Sequence, residues 1–353
     1  MGDDDPLAGC GLRKVRLEDR DTFRSCFSAC RTPLSDYTFA NTFVWRDSIH
    51  LGWQLIHDCL CVFANGDGGL TMLFPPIGHG DSAAALTESL EICRAYNDRA
   101  GLRHLTRVEY ISQDFVDRFQ GFGLEAMSGD YVYETARLID LQGSDLASKR
   151  QARNRFARRY QARTEPYQPR HAADCLRLLG LWQGQTERHD DVIQSSVRIK
   201  RCKELAATAE ALAHAHELGL AGMVLYADND LAGFTFGELL GDGQTCSVLI
   251  EKTDRQYAGS AQYIFSEFCR QYWSRAKWCN VGDDWDVPSL AWTKDSYRPA
   301  YRLPKWLARP IANVAWASCP CVAVHRTLRG ASRPGHARED RGTTTPVTGV
   351  RCP

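Results

Sequence analysis

Apolar positions along the chain fall into two spacings. Over Leu51–Ile56 and Cys59–Ala64 they crowd into short runs split by His57-Asp58, which predicts two paired strands and a tight turn. Over Ser82–Ala100 they recur at Leu86, Leu90, Cys93 and Tyr96, the period of an amphipathic helix. The same reading gives a strand over 12–17, a helix over 18–30 and an aromatic core helix holding Phe39, Phe43 and Trp45. It then gives a strand over 70–74 closed by Pro75-Pro76-Ile77-Gly78, a strand over 104–108 and a short helix over 112–119. A second series follows, with a strand over 131–138 and helices over 144–163, 172–187 and 192–218. Three strands come next, ending at Ala227, over 231–239 and over 245–252, then a helix over 260–275 and a late strand over 277–281. Alternating strands and helices predict an α/β protein with mixed sheets. The similar order in the two series suggests tandem copies of one fold, although no residue-level repeat is visible. The expected organisation is a flexible 1–11, domains over 12–130 and 131–305 with the site in the second, and a disordered tail over 306–353. The tail is rich in Pro, Gly, Arg and Thr and has no sustained period.

Composition narrows the function without naming it. The 353 residues are 44% hydrophobic, enough for two cores. Lys plus Arg equals Asp plus Glu at 43 each, so attraction to nucleic acid or membrane must come from local patches. No apolar run approaches the roughly 20 residues of a spanning helix, and MGDDDPLAGC has no apolar signal core. A soluble cytoplasmic protein is expected. None of the 14 cysteines is spaced Cys-x-x-Cys. Cys59 and Cys61 with His57 lack a local fourth ligand, so buried packing is expected for the thiols rather than a metal site.

Candidate chemistry gathers in the second series. Phe234, Phe236 and Glu238 share one strand face, opposite Thr235 and Gly237, and Glu251 lies on the next strand. A carboxyl on a central strand in apolar surroundings has a raised pKa, so Glu238 or Glu251 could act as the base that acyl transfer to an amine requires. Lys252 leads into Gln256-Tyr257-Ala258-Gly259-Ser260-Ala261, where a glycine turn opens a helix. Such a turn offers backbone N–H groups to phosphate, which makes Gln256, Tyr257, Gly259 and Ser260 candidates; an ordinary helix start has the same signature. The predicted helix over 144–163 carries Lys149, Arg150, Arg153, Arg155, Arg158, Arg159 and Arg163 with no acid between Asp145 and Glu165. Lys149 and Arg150, with Asn154, could hold an anionic donor such as a tRNA acceptor stem, and a solvated helix face has the same composition. Asp283 and Asp284 could recognise a substrate ammonium group, and Tyr297 and Arg298 could approach the same cleft.

Several segments together resemble a known family. They are SDYTFANTFVWRD from Ser35, LFPPIG from Leu73, DYVY from Asp130, SKRQARNRF from Ser148, GFTFGE from Gly233, IEKTDRQYAG from Ile250, and the stretch from Asn280 to Arg298 with Lys294 and Tyr297. The whole, over roughly residues 12–305, is similar to the family named for the C-terminal domain of phosphatidylglycerol lysyltransferase. The resemblance implies tandem GNAT-like domains, shared with Fem-type aminoacyltransferases, and transfer of an amino acid from aminoacyl-tRNA to a lipid or peptide acceptor. The sequence departs from the family in following Asn280 with Val281-Gly282-Asp283-Asp284, and in keeping only Lys294 of a basic Leu-Arg-Lys-x-Lys run. No cofactor is firmly implied. Two rival readings stand beside aminoacyl transfer: an N-acetyltransferase using acetyl-CoA, and a non-catalytic GNAT-like module that binds tRNA or a protein.

Overall fold

The chain opens with strand β1 (Arg13–Lys14), helices α1 (Arg20–Ser28) and α2 (Phe39–Trp45), and strands β2 (Leu51–Ile56), β3 (Cys59–Ala64), β4 (Thr71–Met72) and β5 (Ile77–Gly78). Helix α3 (Ser82–Ala100), strand β6 (Val108–Ser112), a 3-10 segment over Gln113–Phe119 and strand β7 (Phe122–Glu134) complete the first half. The structure is a computed structural model that describes residues 7–66, 68–187 and 195–311. Helices α4 (Thr135–Asp140) and α5 (Ala147–Arg159) lead to the second half, which starts with β8 (Ala162–Pro166), α6 (Ala172–Glu187) and α7 (Ser195–Leu218). It continues with β9 (Ala221–Ala227), β10 (Asp230–Leu239), β11 (Thr245–Thr253), α8 (Ser260–Tyr272), β12 (Trp278–Asn280), α9 (Pro288–Asp295) and β13 (Tyr301–Pro310).

Setting aside the short β5, both halves read strand, two helices, three strands, helix, strand, helical segment, strand. This is the tandem, GNAT-like α/β architecture. The halves do not form separate sheets. One sheet runs β1-β2-β3-β4-β6-β13-β7-β12-β11-β10-β9-β8. Each half therefore lends its last strand to the other: β13 lies against β6, and β7 lies against β12. The two lent strands pair with each other along the middle, from Tyr301 opposite Val132 to Pro310 opposite Phe122. The pairs β4–β6 and β11–β12 are parallel, at equivalent positions of the two halves.

Local chemistry explains the elements that match the sequence reading. His57 and Asp58 take φ of 48° and 58° between β2 and β3, the left-handed geometry of a two-residue hairpin. Helix α3 starts where the Asp81 side chain accepts the Ala84 N–H at 3.1 Å, and stops at Gly101 with φ 71°. Elsewhere the borders move. The expected helix over 144–163 ends at Arg159 and the chain turns into β8; the strand over 131–138 begins at Phe122 and yields to α4 at Thr135. In place of the strand over 104–108, Arg103–Leu105 form a 3-10 turn and β6 starts only at Val108; β13 extends through 306–310, residues expected in the tail. Trp306 and Leu307 are held there by pairing with Ala126 and Glu125 of β7. Of the expected flexible start, Leu7 is buried in the core; residues 1–6, 192–194 and 312–353 lie outside the described residues. One core fills the first half and the α6–α7 face of the second; another fills the face covered by α5, α8 and the end of α9. Among the described residues no helix is long and apolar enough to cross a membrane.

Candidate functional site

Strand β11 carries one extra residue. Phe236 and Gly237 of β10 are consecutive, but their partners are Ile250 and Val248, which leaves Leu249 unopposed. Such a bulge reverses which face alternate side chains take. Cys246 and Val248 accordingly enter the α5–α8 core while Ile250 enters the other. Glu251 is thereby turned toward α8. The strand also parts from its neighbour here: β11 pairs with β12 only from Thr245 to Ser247, opposite Trp278 to Asn280. Glu251 follows on the stretch of β11 that has no β12 partner, with its Oε2 buried and without a hydrogen-bond partner among the described residues. Burial pushes its carboxyl up to about 8, partly offset by Lys252.

Tyr297, 8% exposed, forms the wall beside it. Burial, then the charge of Glu251, hold the Tyr297 hydroxyl well above its usual range, eased by a hydrogen bond with Gln262. Lys149, from the first turn of α5, lies over this ring at 4.5 Å and 5.8 Å from the ring of Trp292 on α9. Desolvation lowers its ammonium pKa. The other expected donor ligands of α5 separate. Arg150 donates to the carbonyls of Leu141 and Gly143 at 2.5 and 3.0 Å, and Arg153 donates to the Ile139 carbonyl at 3.1 Å. These two close the C-terminal end of α4 instead of facing the cleft, because that end leaves carbonyls without helical partners. Asn154, exposed, accepts from Arg153 at 3.1 Å. Arg155, Arg158 and Arg159 face solvent.

Glu238 lies on the opposite face of the sheet from Glu251. Its Oε1 accepts from Thr38 Oγ1 at 2.6 Å, tying β10 to the N-cap of α2. Burial raises its carboxyl to about 7, with that hydrogen bond opposing. Lys252 also points to that face, paired with Glu204 and 4.1 Å from the Trp182 ring. Lys252 faces away from Glu251 because they are consecutive on the strand, and the bulge turns Glu251 away from the face of Glu238. The glycine turn opens α8 as expected, and three of its N–H groups are engaged within the fold. Gln256 N donates to Asp254 Oδ1 at 2.9 Å, Tyr257 N to the Asp254 carbonyl at 3.2 Å, and Ser260 N to the Tyr257 carbonyl at 3.0 Å. The Tyr257 hydroxyl binds Asp230 at 2.8 Å. Gly259 has φ 97°, and a Cβ there would meet the Ala152 carbonyl of α5 at 2.3 Å. The glycine serves the close approach of α5.

The remaining candidates meet at the seam between β7 and β13. Lys305, 1% exposed, binds Asp130 at 2.8 Å, Asp36 at 3.0 Å and Asp283 at 2.6 Å. Asn280 donates to Asp130 Oδ2 and to the Pro33 carbonyl, each at 2.8 Å. Burial pushes Asp36 up to about 7 against the pull of Lys305. Lys294 donates to the carbonyls of Val281 and Asp283, and burial lowers it to about 8 against the neighbouring Asp283. Asp284 is held below the usual carboxylate range: burial would raise it, but Ser128 and Tyr131 donate to it at 2.6 Å each, and Arg302 lies at 2.9 Å. It borders an open groove of about 430 Å³ lined by Ser128, Gly129, Asp284, Asp286, Arg302 and Leu303. Arg298 is exposed on the turn after α9 with φ 58°. Asp36, Asp130 and Lys305 escaped the candidate set, although Ser35-Asp36 and Asp130 lie in two of the segments that carried the resemblance. Helix α9 joins seam and cleft, since it carries both Trp292 and Lys294, and Tyr133 bridges them by donating to the Lys294 carbonyl at 2.8 Å.

Residues 29–309 match the family described as phosphatidylglycerol lysyltransferase, C-terminal. An uncharacterised protein of Mycoplasmoides gallisepticum is 25% identical over 186 residues, 52% of this chain and 57% of that relative. The match thus spans little more than half of that curated relative's length. A crystal structure of a conserved protein of unknown function from Bacteroides thetaiotaomicron shares the fold, with a TM-score of 0.71 and 24% identity over 84% of this chain and 98% of that one. The structure of L-PGS from Bacillus licheniformis shares it with a TM-score of 0.58 and 14% identity over 90% of this chain and 98% of that one.

Proposed function

This chain belongs to the phosphatidylglycerol lysyltransferase C-terminal family, a family of transferases, and on that premise we propose that it moves an aminoacyl group from aminoacyl-tRNA to an amine or hydroxyl of a lipid headgroup or peptide. One observation carries the reading. A carboxyl pushed up to about 8, with one buried oxygen lacking a partner, lies on β11 beyond its last pairing with β12. A general base works best with a pKa near the operating pH. In the transfer, the acceptor attacks the ester carbonyl of the charged tRNA. Glu251 takes the acceptor's proton, the new amide or ester forms, and the ribose hydroxyl leaves with a proton. Tyr297 keeps its hydroxyl protonated and can donate to the oxygen on which charge develops. Lys149 and the exposed Arg155, Arg158 and Arg159 offer cations to the RNA backbone. The acetyl-CoA reading draws less support, because the Gln256, Tyr257 and Ser260 N–H groups of the turn that would hold the pyrophosphate are engaged and α5 packs on its glycine.

The test is mass spectrometry of products after the protein is incubated in cytoplasmic extract with pools of aminoacyl-tRNA, or with acetyl-CoA. An aminoacylated product that vanishes in Glu251→Gln, with tRNA binding retained, is the expected result. An acetylated product, or acetyl-CoA raising the melting temperature, would overturn it.

A further inference from the structure

Trp292 is the most exposed large apolar side chain among the described residues, 73% open to solvent. It stands on α9 beside Lys149, whose Nζ is 5.8 Å from the indole and 4.5 Å from the Tyr297 ring. Lys149 makes no ion pair or hydrogen bond with any described residue. An open indole and an unpaired, partly desolvated ammonium therefore sit together beside Tyr297, whose hydroxyl feels the charge of Glu251. Further exposed cations lie on the same helix at Arg155, Arg158 and Arg159, roughly 9–15 Å farther along its axis at 1.5 Å per residue.

We infer that Trp292 and Lys149 form a nucleotide subsite: the indole stacks on the terminal base of a single-stranded RNA 3′ end, and Lys149 holds its phosphate. This rests on the aminoacyl-transfer reading and adds the residues that grip the end of the donor. An unpaired RNA end exposes the flat face of its last base, and an exposed aromatic ring binds that face without regard to sequence. The backbone charge that follows the base requires a cation beside the ring, and Lys149 is there. The next phosphates run toward the arginines of α5. A base held on Trp292 with its phosphate on Lys149 directs the ribose toward Tyr297 and Glu251, where the ester must lie. Acids on this helix do not interfere: from Ala147 to Arg159 it carries none. A free nucleotide has the same base and phosphate, so the experiment separates the two.

Binding of uncharged tRNA, tRNA lacking its terminal adenosine, and AMP is measured on the full-length protein by anisotropy. Tryptophan emission is read in parallel. For the wild type, removal of the terminal adenosine weakens binding about five- to a hundredfold, the worth of one stacked base. Trp292→Ala weakens intact tRNA to the level of truncated tRNA and leaves truncated tRNA unchanged, while Trp292→Phe keeps most of the affinity. Lys149→Met lowers affinity and reduces the salt slope by about one. An unchanged melting temperature shows that Trp292→Ala is folded. If intact and truncated tRNA bind the wild type and Trp292→Ala alike, the subsite is wrong while aminoacyl transfer stands. If AMP binds as tightly as tRNA, the occupant is a free nucleotide and the assignment to an RNA end falls. If no tRNA binds at all, both readings fall together.

Discussion

Glu251 and Lys305 are both charges that the fold has taken from water, with opposite fittings. Glu251 lacks a full set of partners, so its proton leaves only near pH 8 against a reference value of 4.5. Between those values the folded state holds a proton the unfolded chain has lost, so this group's contribution to stability fades as pH rises through that window. Glu251→Gln removes the dependence. Its stability advantage over the wild type, read from urea unfolding, grows from pH 5 to pH 8 and reaches roughly 4 kcal/mol. The same variant loses about 10²–10⁴ in transfer rate, and the wild-type rate rises with pH to a plateau above about 8. A rate profile flat from pH 6 to 9 would remove Glu251 as the base. Lys305 is the reverse case, one cation among Asp36, Asp130 and Asp283. Lys305→Met strands three buried acids and costs about 3–5 kcal/mol at pH 8. The loss shrinks at pH 5, because acids without their cation can take up protons. Urea midpoints at the two pH values check this; equal losses at both would contradict the account. Glu251 was legible as a candidate from its strand alone. The opposite orientation of Glu238 was not, because it depends on one unpaired residue, Leu249, that leaves no mark in composition or period. Lys305 was hidden because its partners lie 22 to 269 residues away in sequence.

Helices show where a periodic reading succeeds and where contact overrides it. The bounds of α3 coincide with the expected ones, since apolar spacing and end signals agree there. The basic helix was expected to continue to 163, because Arg and Ala are good helix formers and nothing local stops them. It ends at Arg159 because residues 162–166 are needed as an edge strand against β9. Residues 306–310 of β13 fall in the expected tail, because the Pro- and Arg-rich sequence there has no sustained period and only pairing with β7 and β6 orders it. The α5–α8 contact depends on one glycine. Gly259→Ala combines a left-handed φ of 97° with a Cβ 2.3 Å from the Ala152 carbonyl. It is expected to cost on the order of 2–4 kcal/mol and to shift Lys149 with its helix. Urea unfolding measures the first effect and tRNA affinity the second. A variant of wild-type stability would mean that α5 does not press on this turn, and the pyrophosphate site would have to be reconsidered.

At the level of the molecule, the lent strands decide how the chain unfolds. Two tandem units with separate sheets would melt independently, and chains of this length often do. Here β13 cannot leave the second half without baring β6, and β7 cannot leave the first without baring β12. The seam adds the Lys305 cluster, which joins Asp36 before β2, Asp130 on β7 and Asp283 after β12. Opening either half therefore exposes unpaired strand edges and strands buried charge in the other, which costs more than the separate cores would. The repeat of element order was legible as two similar series of strands and helices; the exchange of strands was not, because pairing partners far apart in sequence leave no local signal. Native-state hydrogen exchange distinguishes the alternatives. The slowest amides of β3 in the first half and of β10 in the second are expected to open with the same free energy, in one global event. Lys305→Met should lower both by the same amount. If the β3 amides open well below those of β10, or the variant affects one half only, the halves are independent domains in contact. The seam would then be a joint rather than the centre of a single cooperative unit.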